Sequence, residues 1–413
     1  MTKQIRTLSG APRRLAGLYV ISFFVLLGAV SSVKAAEWSF APVLRVAGDF
    51  DDNPYLSHRT DNAESVNGYI LEGSAEVAYR SEKSNFDFTP TLRRRDYGSD
   101  SDLNSDDQFL TTSFSHNTIA TNFRIRANFD RQSVRTAERA DVDLEAEDPD
   151  DILDDDTGRV GVRGRRERVR VSPSFLYRAS EASSIIMQVN YTDVVFDDDV
   201  GLFLTDYTDW RANVFYRRKW SERFTAVFAA TYRSYDTEFS LSEVTGAGAS
   251  FGIDREMSET SRLRLSIGFE NTDSGGGSAV TEPVAALSYV RRQKTTTLLA
   301  SYRRSVTASG AGALGIRDSF TLNFTRRLND RMSAGIGARA YSTDAIDETS
   351  GPLDERVFLQ LKASLTWHIS QTVSLQTDYH YTFLDREVLG ESSNSNQITV
   401  WLNWIPTPMV RSR

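Results

Sequence analysis

The sequence predicts a transmembrane antiparallel up-and-down β-barrel of about 18 strands. Short stretches of alternating apolar and polar residues run from Trp38 to Trp404. Their connections are by turns long and acidic, then very short. Beyond the first 35 residues no apolar run is long enough for a membrane helix. Lipid offers no hydrogen bonds to a backbone, so a chain that crosses it with strands must close them into a barrel, with every second side chain against lipid. The mean hydropathy of -0.39 argues against helical spans and fits strands that show lipid one face only.

Taken in order, the chain opens with Lys3, Arg6, Arg13 and Arg14, an apolar stretch from Leu15 to Val30, and Val33-Lys34-Ala35. This is the pattern of a secretory signal peptide over residues 1–35, cut after Ala35. Residues 36–413 form one domain, since neither a Pro- or Gly-rich linker nor a change of periodicity divides them. Alternation places strands near 38–47, 69–80, 85–95, 108–116, 121–130, 166–178, 184–193, 207–217, 223–234, 246–255, 262–271, 283–291, 295–304, 318–327, 331–342, 356–368, 372–382 and 396–404. The strand over 356–368 is the clearest: Val357, Leu359, Leu361, Ala363, Leu365 and Trp367 alternate with Phe358, Gln360, Lys362, Ser364, Thr366 and His368. The strand near 246–255, rich in Gly, is the weakest, and its loss with a partner leaves 16. An even number puts both termini beside the short turns, which places those turns in the periplasm and the long loops outside.

Charge follows the same division. Removal of residues 1–35 leaves 43 basic against 56 acidic residues. The longest loop, near 137–160, holds Asp141, Asp143, Glu145, Glu147, Asp148, Asp150, Asp151, Asp154, Asp155 and Asp156. Like charges at this density repel, so the expectation is a solvated extracellular loop that gathers divalent cations diffusely beside lipopolysaccharide; the spacing lacks the glycine and terminal glutamate of an EF-hand, and no metal site is expected. The short turns are basic, with Arg178, Arg217, Arg218, Lys219, Arg291, Arg292, Arg326 and Arg327.

Once the apolar set is assigned to lipid, the inward set follows from the period of two. It places Arg93, Arg124, Arg126, Arg168, Arg170, Arg211, Arg262, Arg264 and Arg303 along the pore, with Arg233, Arg339 and Lys362, against the inward acids Glu72, Glu76, Asp87, Glu270 and Asp378. Fixed positive charge in a low-dielectric tube concentrates anions, and the guanidinium fork pairs with carboxylate or phosphate. The competing reading is structural: the same arginines pair with lumen acids and make a rigid, plugged core.

Aromatic residues gather at strand ends, among them Trp38, Tyr79, Trp210, Tyr216, Trp220, Tyr302, Trp367 and Trp404, as interfacial girdles do. Tyr55, Tyr97, Phe203, Tyr207 and Tyr235, nearer the outer loops, could stack on sugar rings. Catalysis finds no support: the four histidines lack metal-ligand spacing, and His380 beside Asp378 reads as a pair of lumen-lining residues, so no cofactor and no enzyme is expected. Gly275-Gly276-Gly277 has no helix after it and is no phosphate loop. The acidic exposed loops exclude nucleic acid. With no cysteine, stability must come from barrel closure.

Trp38-Ser39-Phe40-Ala41-Pro42, followed by Asp51-Asp52-Asn53-Pro54-Tyr55-Leu56, resembles the opening of the β-barrel porin type 2 family of outer-membrane proteins. The resemblance implies an outer-membrane barrel that accompanies exopolysaccharide synthesis and export. The ending departs from the common barrel pattern, because Trp404 is followed by nine further residues, Ile405 to Arg413. The expectation is therefore a Gram-negative outer-membrane channel for an anionic solute, with acidic exopolysaccharide and periplasmic export machinery as partners beside outer-membrane lipid; the alternatives are a small-anion porin and a closed structural or adhesive barrel.

Overall fold

A computed structural model of the chain describes residues 36–58, 64–98, 102–139, 144, 164–197, 204–237, 243–273, 279–310, 312, 314–346, 356–386 and 390–412. The signal-peptide stretch, the Gly275–Gly277 triplet, Phe203 and most of the acidic loop lie outside these residues.

Eighteen antiparallel strands close into one barrel. They are β1 Glu37–Asp51, β2 Val66–Arg80, β3 Ser84–Asp96, β4 Ser105–Asn117, β5 Thr121–Ser133, β6 Arg165–Arg178, β7 Ser183–Phe196, β8 Tyr207–Ser221 and β9 Phe224–Thr237. There follow β10 Val244–Ser258, β11 Ser261–Asp273, β12 Val280–Arg292, β13 Thr296–Ala308, β14 Leu314–Asn329, β15 Met332–Ala345, β16 Arg356–His368, β17 Val373–Arg386 and β18 Glu391–Trp404. Each pairs with its neighbour in sequence, and β1 pairs with both β2 and β18, which closes the ring and leaves no long free edge.

Every strand foreseen from alternation is present, including the Gly-rich β10. Strands run for 13 to 16 residues, against the 9–11 or so that a membrane requires. The surplus lies mostly at the outer ends, where charged residues such as Asp49, Asp51 and Arg93 to Asp96 interrupt the apolar pattern and so hid the true strand length. On β10 the inward positions are Gly246, Gly248, Ser250 and Gly252. A Cβ on Gly248 would stand 2.6 Å from the Phe269 carbonyl oxygen, and one on Gly252 2.7 Å from that of Leu265. Small residues there let β10 and β11 approach as closely as they do.

The outward face is apolar and exposed. Leu44, Val46 and Phe50 on β1, Leu265, Ile267 and Phe269 on β11, and Ile398, Val400 and Leu402 on β18 are all exposed, whereas their alternating neighbours are buried or half-buried. Aromatic pairs mark both rims. Trp38 and Tyr79 stand 5.0 Å apart near the short turns, and Trp210 and Tyr232 stand 5.3 Å apart toward the outer end.

Two elements were not expected. After Trp404 the chain leaves the ladder over 405–408, then Met409–Ser412 forms β19 against Glu37–Phe40 of β1. Pro406 and Pro408 lack an amide N–H, which accounts for the break, and four residues here face three of β1, as in a bulge. The second is a single helical turn, α1 Val134–Glu138, at the start of the acidic loop. Ser133 caps it, its hydroxyl accepting from the Thr136 amide.

Candidate functional site

The lumen is the candidate site. Its outer half is not the bare tube that alternation alone implies. Val134 and Ala137 of α1 are fully buried, Val134 in a cluster with Val194, Phe196 and Leu204. Arg139 and Leu144, beyond α1, contact other parts of the wall. The Arg139 guanidinium donates to Asp51 Oδ2 at 2.8 Å, to the Pro54 carbonyl at 3.0 Å and to Ser395 Oγ at 2.9 Å, which ties the loop to the β1–β18 seam. The Arg139 carbonyl lies 3.5 Å from Gln360 Nε2 on β16. Leu144 then reaches Gly335 on β15, where a Cβ would stand 2.8 Å from its Cδ1. In an 18-stranded ring β15 lies nearly opposite β5 and β6. Arg139 and Leu144 of the loop near 137–160 thus contact the barrel wall; its ten acids from Asp141 to Asp156 lie outside the described residues.

Other outer segments also pack inward. Leu56 joins Tyr341, Phe358 and Leu384 in one cluster, and Tyr235, Val306, Leu314 and Ile316 form another with Tyr207 beside it. Tyr97 is buried with Val66 and Leu103, with Tyr55 packed against them. Tyr97 and Tyr235 are therefore buried and do not offer open stacking faces for sugars, a correction to the sequence reading, whereas Tyr207 and Tyr55 are half-buried. The Asp51-Asp52-Asn53 segment has a structural job. Asp52 accepts from the Asn396 amide at 2.6 Å, and the Asn53 carboxamide bridges the Ser57 and Asn394 carbonyls. Asp49, just inside, accepts from Thr399, Gln397 and the Tyr97 hydroxyl.

The nine arginines expected along the pore all sit at inward positions of their strands, but they fall into distinct groups. Arg93 is paired with Glu72 at 2.6 Å and lies over the Phe109 ring. Arg168 pairs with Asp130 at 2.6 Å, beside Arg166 at 2.8 Å from the same carboxylate. Arg262 and Arg217 share Asp254. Arg211 donates to the Val306 carbonyl at 3.1 Å and faces Arg233, which is held by Asp209 at 2.6 Å. Arg124 and Arg126 differ: they are exposed on the inward face of β5, opposite Ser174 and Ser172 of β6. Arg170, Arg264 and Arg303 are half-buried, opposite Asn128, Ser288 and Ser319.

More acids face the lumen than alternation identified. Asp49, Asp51, Asp107, Asp130, Asp209 and Asp254 were missed because they sit near strand ends, where the apolar partners that reveal a register are absent. The same blind spot hid Arg95, Arg166, Arg317 and Arg356. Arg317, Arg339 and Arg356 place their guanidinium carbons 4.6, 5.6 and 5.5 Å from the centre of the Tyr341 ring. His380 and Asp378, side by side on β17, are both buried, and Asp378 accepts from Gln376 at 2.9 Å.

A closed barrel with an exposed apolar belt, aromatic rims and a polar interior has one stable setting. The chain is an outer-membrane β-barrel. No family model matches it and no curated protein does, so the likeness to type 2 porins rests on the opening motif alone. Among solved structures it is similar to OccAB4 of Acinetobacter baumannii, at 10% identity and a TM-score of 0.46, over 92% of this chain and 99% of that one. It is similar also to a BenF-like porin from Pseudomonas fluorescens Pf-5, at 9% identity and a TM-score of 0.48, over 89% and 99%. The outer membrane channel DcaP of A. baumannii matches at 11% identity and a TM-score of 0.43, over 90% and 97%.

Proposed function

We propose that the barrel is a channel for small anionic solutes. The observation that carries this is the wall made by β5 and β6. From the periplasmic side outward, inward positions present Arg124, Arg126, Arg170 and Arg168, a rise of about 20 Å along the strands. The lower two arginines are exposed; of the upper pair Arg170 is half-buried and Arg168 is held by Asp130. Fixed cations lower the barrier to anions, and several weak sites in series allow release, which one tight site would prevent. Planar-bilayer recording under a salt gradient tests the reading. The wild type should show an anion-selective reversal potential, and Arg124→Ala with Arg126→Ala should move it toward zero by about half or more.

Export of an acidic exopolysaccharide is the second reading, favoured by the repetition of guanidinium sites along the bore. A polymer would need the contacts of Arg139 with Asp51 and Ser395 released, so this reading requires a periplasmic partner that opens the channel. Loss of surface polysaccharide in a deletion strain would support it, and impaired uptake of a small anion would support the first. Neither reading uses a cofactor or a catalytic group.

A further inference from the structure

The outward face should stay apolar as far as hydrocarbon covers it, and the point where it stops marks the headgroup layer. On the side formed by β3 to β6 the change is abrupt. Leu92 is followed two residues outward by Arg94, Phe129 by Arg131, and Val169 by Glu167 and then Arg165. These charges point away from the lumen, so no solute in the pore meets them. Between the β3–β4 and β5–β6 connections a cavity of about 280 Å³ opens, lined by Arg94, Arg95 and Arg165, by Ser105 and Ser133, and by the carboxylates Asp102 and Asp106.

Of the cations in this cavity Arg95 is held by Asp107 at 3.1 Å, which leaves Arg94 and Arg165 as the candidates for an outside ligand. Arg94 has a side-chain exposure of 58% and comes only within 3.6 Å of Asp96 and of Asp106. Arg165 donates to the backbone carbonyl of Asp106. By contrast Arg304, on β13, is neutralised by Asp318 at 2.5 Å, with Glu282 at 3.9 Å. Two guanidinium forks and two hydroxyls around a small cavity suit a tetrahedral oxyanion, and the position at the rim suits one carried by a lipid.

We propose that this cavity binds a phosphate group of lipopolysaccharide, with Arg94 and Arg165 as its principal ligands. The proposal rests on the outer-membrane setting and not on what the pore conducts. Asp102 and Asp106 would repel a bare phosphate, and a divalent cation between carboxylate and phosphate relieves that, so binding should strengthen with Mg²⁺.

Native mass spectrometry of the whole barrel in detergent tests it, with bis-phosphorylated lipid A and its dephosphorylated form as probes. The wild type should retain the phosphorylated lipid at least tenfold better, and Arg94→Gln with Arg165→Gln should abolish the difference while the heat-resistant folded band on gels persists. Arg124→Ala, which bears only on conduction, should bind lipid A as the wild type does, so the two readings fail separately. Should the double variant fail to fold, Arg94→Gln alone gives the same comparison. Equal retention of both lipids, undiminished binding by the variants, or full displacement by millimolar inorganic phosphate would each overturn the proposal.

Discussion

At the scale of single residues, the lumen is governed by how each buried cation is matched. Asp130 holds Arg166 and Arg168 at once and is itself buried, so Asp130→Asn removes the charge that two guanidiniums share. Breaking a buried pair from one side costs about 3 kcal/mol or more. Asp130→Asn should therefore lower the urea midpoint clearly, and an unchanged midpoint would show that other groups carry those arginines. Tyr97 offers a test in pH. Burial, with the Asp49 carboxylate beside it, pushes its phenol up to about 12, from an ordinary value near 10. A raised value means that the fold favours the protonated form; the stabilisation is whole below about pH 10 and is lost as the pH rises through about 12. The stability gap between wild type and Tyr97→Phe should thus be present at about pH 9 and shrink at about pH 12. A gap that does not change would contradict the Tyr97–Asp49 contact.

Among the elements, the strands were legible because one face is fixed by lipid, and a period of two then dictates the other. That logic recovered β10 despite its glycines. At those positions it also has a consequence: Gly248→Val would drive a side chain toward the Phe269 carbonyl, and overpacking of this kind costs about 1–3 kcal/mol. Refolding yield into lipid should fall for this variant and stay near wild type for Ala247→Val, whose side chain points outward. Legibility ended where lipid ends. The inward turn of α1 was hidden because an acidic run reads as solvated, although apolar residues such as Val134 and Leu144 are scattered through it. β19 was hidden by Pro406 and Pro408, which mark the end of a ladder in sequence although the chain resumes it. The opening motif was visible, but its work was not. Asp51 and Asp52 meet Ser395 and Asn396 across the seam, a contact between residues more than 340 positions apart.

For the whole molecule, closure of the barrel and narrowing of its bore are joined at one place. Asp51 belongs to the strand that closes the ring, and its carboxylate holds Arg139, just beyond α1. Arg124 and Arg126 are exposed on the inward face near the basic short turns, whereas paired charges stand toward both ends of the strands, Arg217 and Arg262 on Asp254 near those turns and Arg168 on Asp130 at the outer end. Arg139→Ala should break the ties to Asp51, Pro54 and Ser395 and raise single-channel conductance severalfold without loss of folding, because the strand ladder does not depend on it.

The most direct test is single-channel conductance and ion selectivity of the purified barrel in a planar bilayer, recorded for wild type, Arg124→Ala/Arg126→Ala and Arg139→Ala. A narrow anion-selective pore that loses selectivity in the first variant and widens in the second is the predicted result. A wild type that shows no current, and stays silent when Arg139 is replaced, would contradict a channel and leave a closed structural barrel.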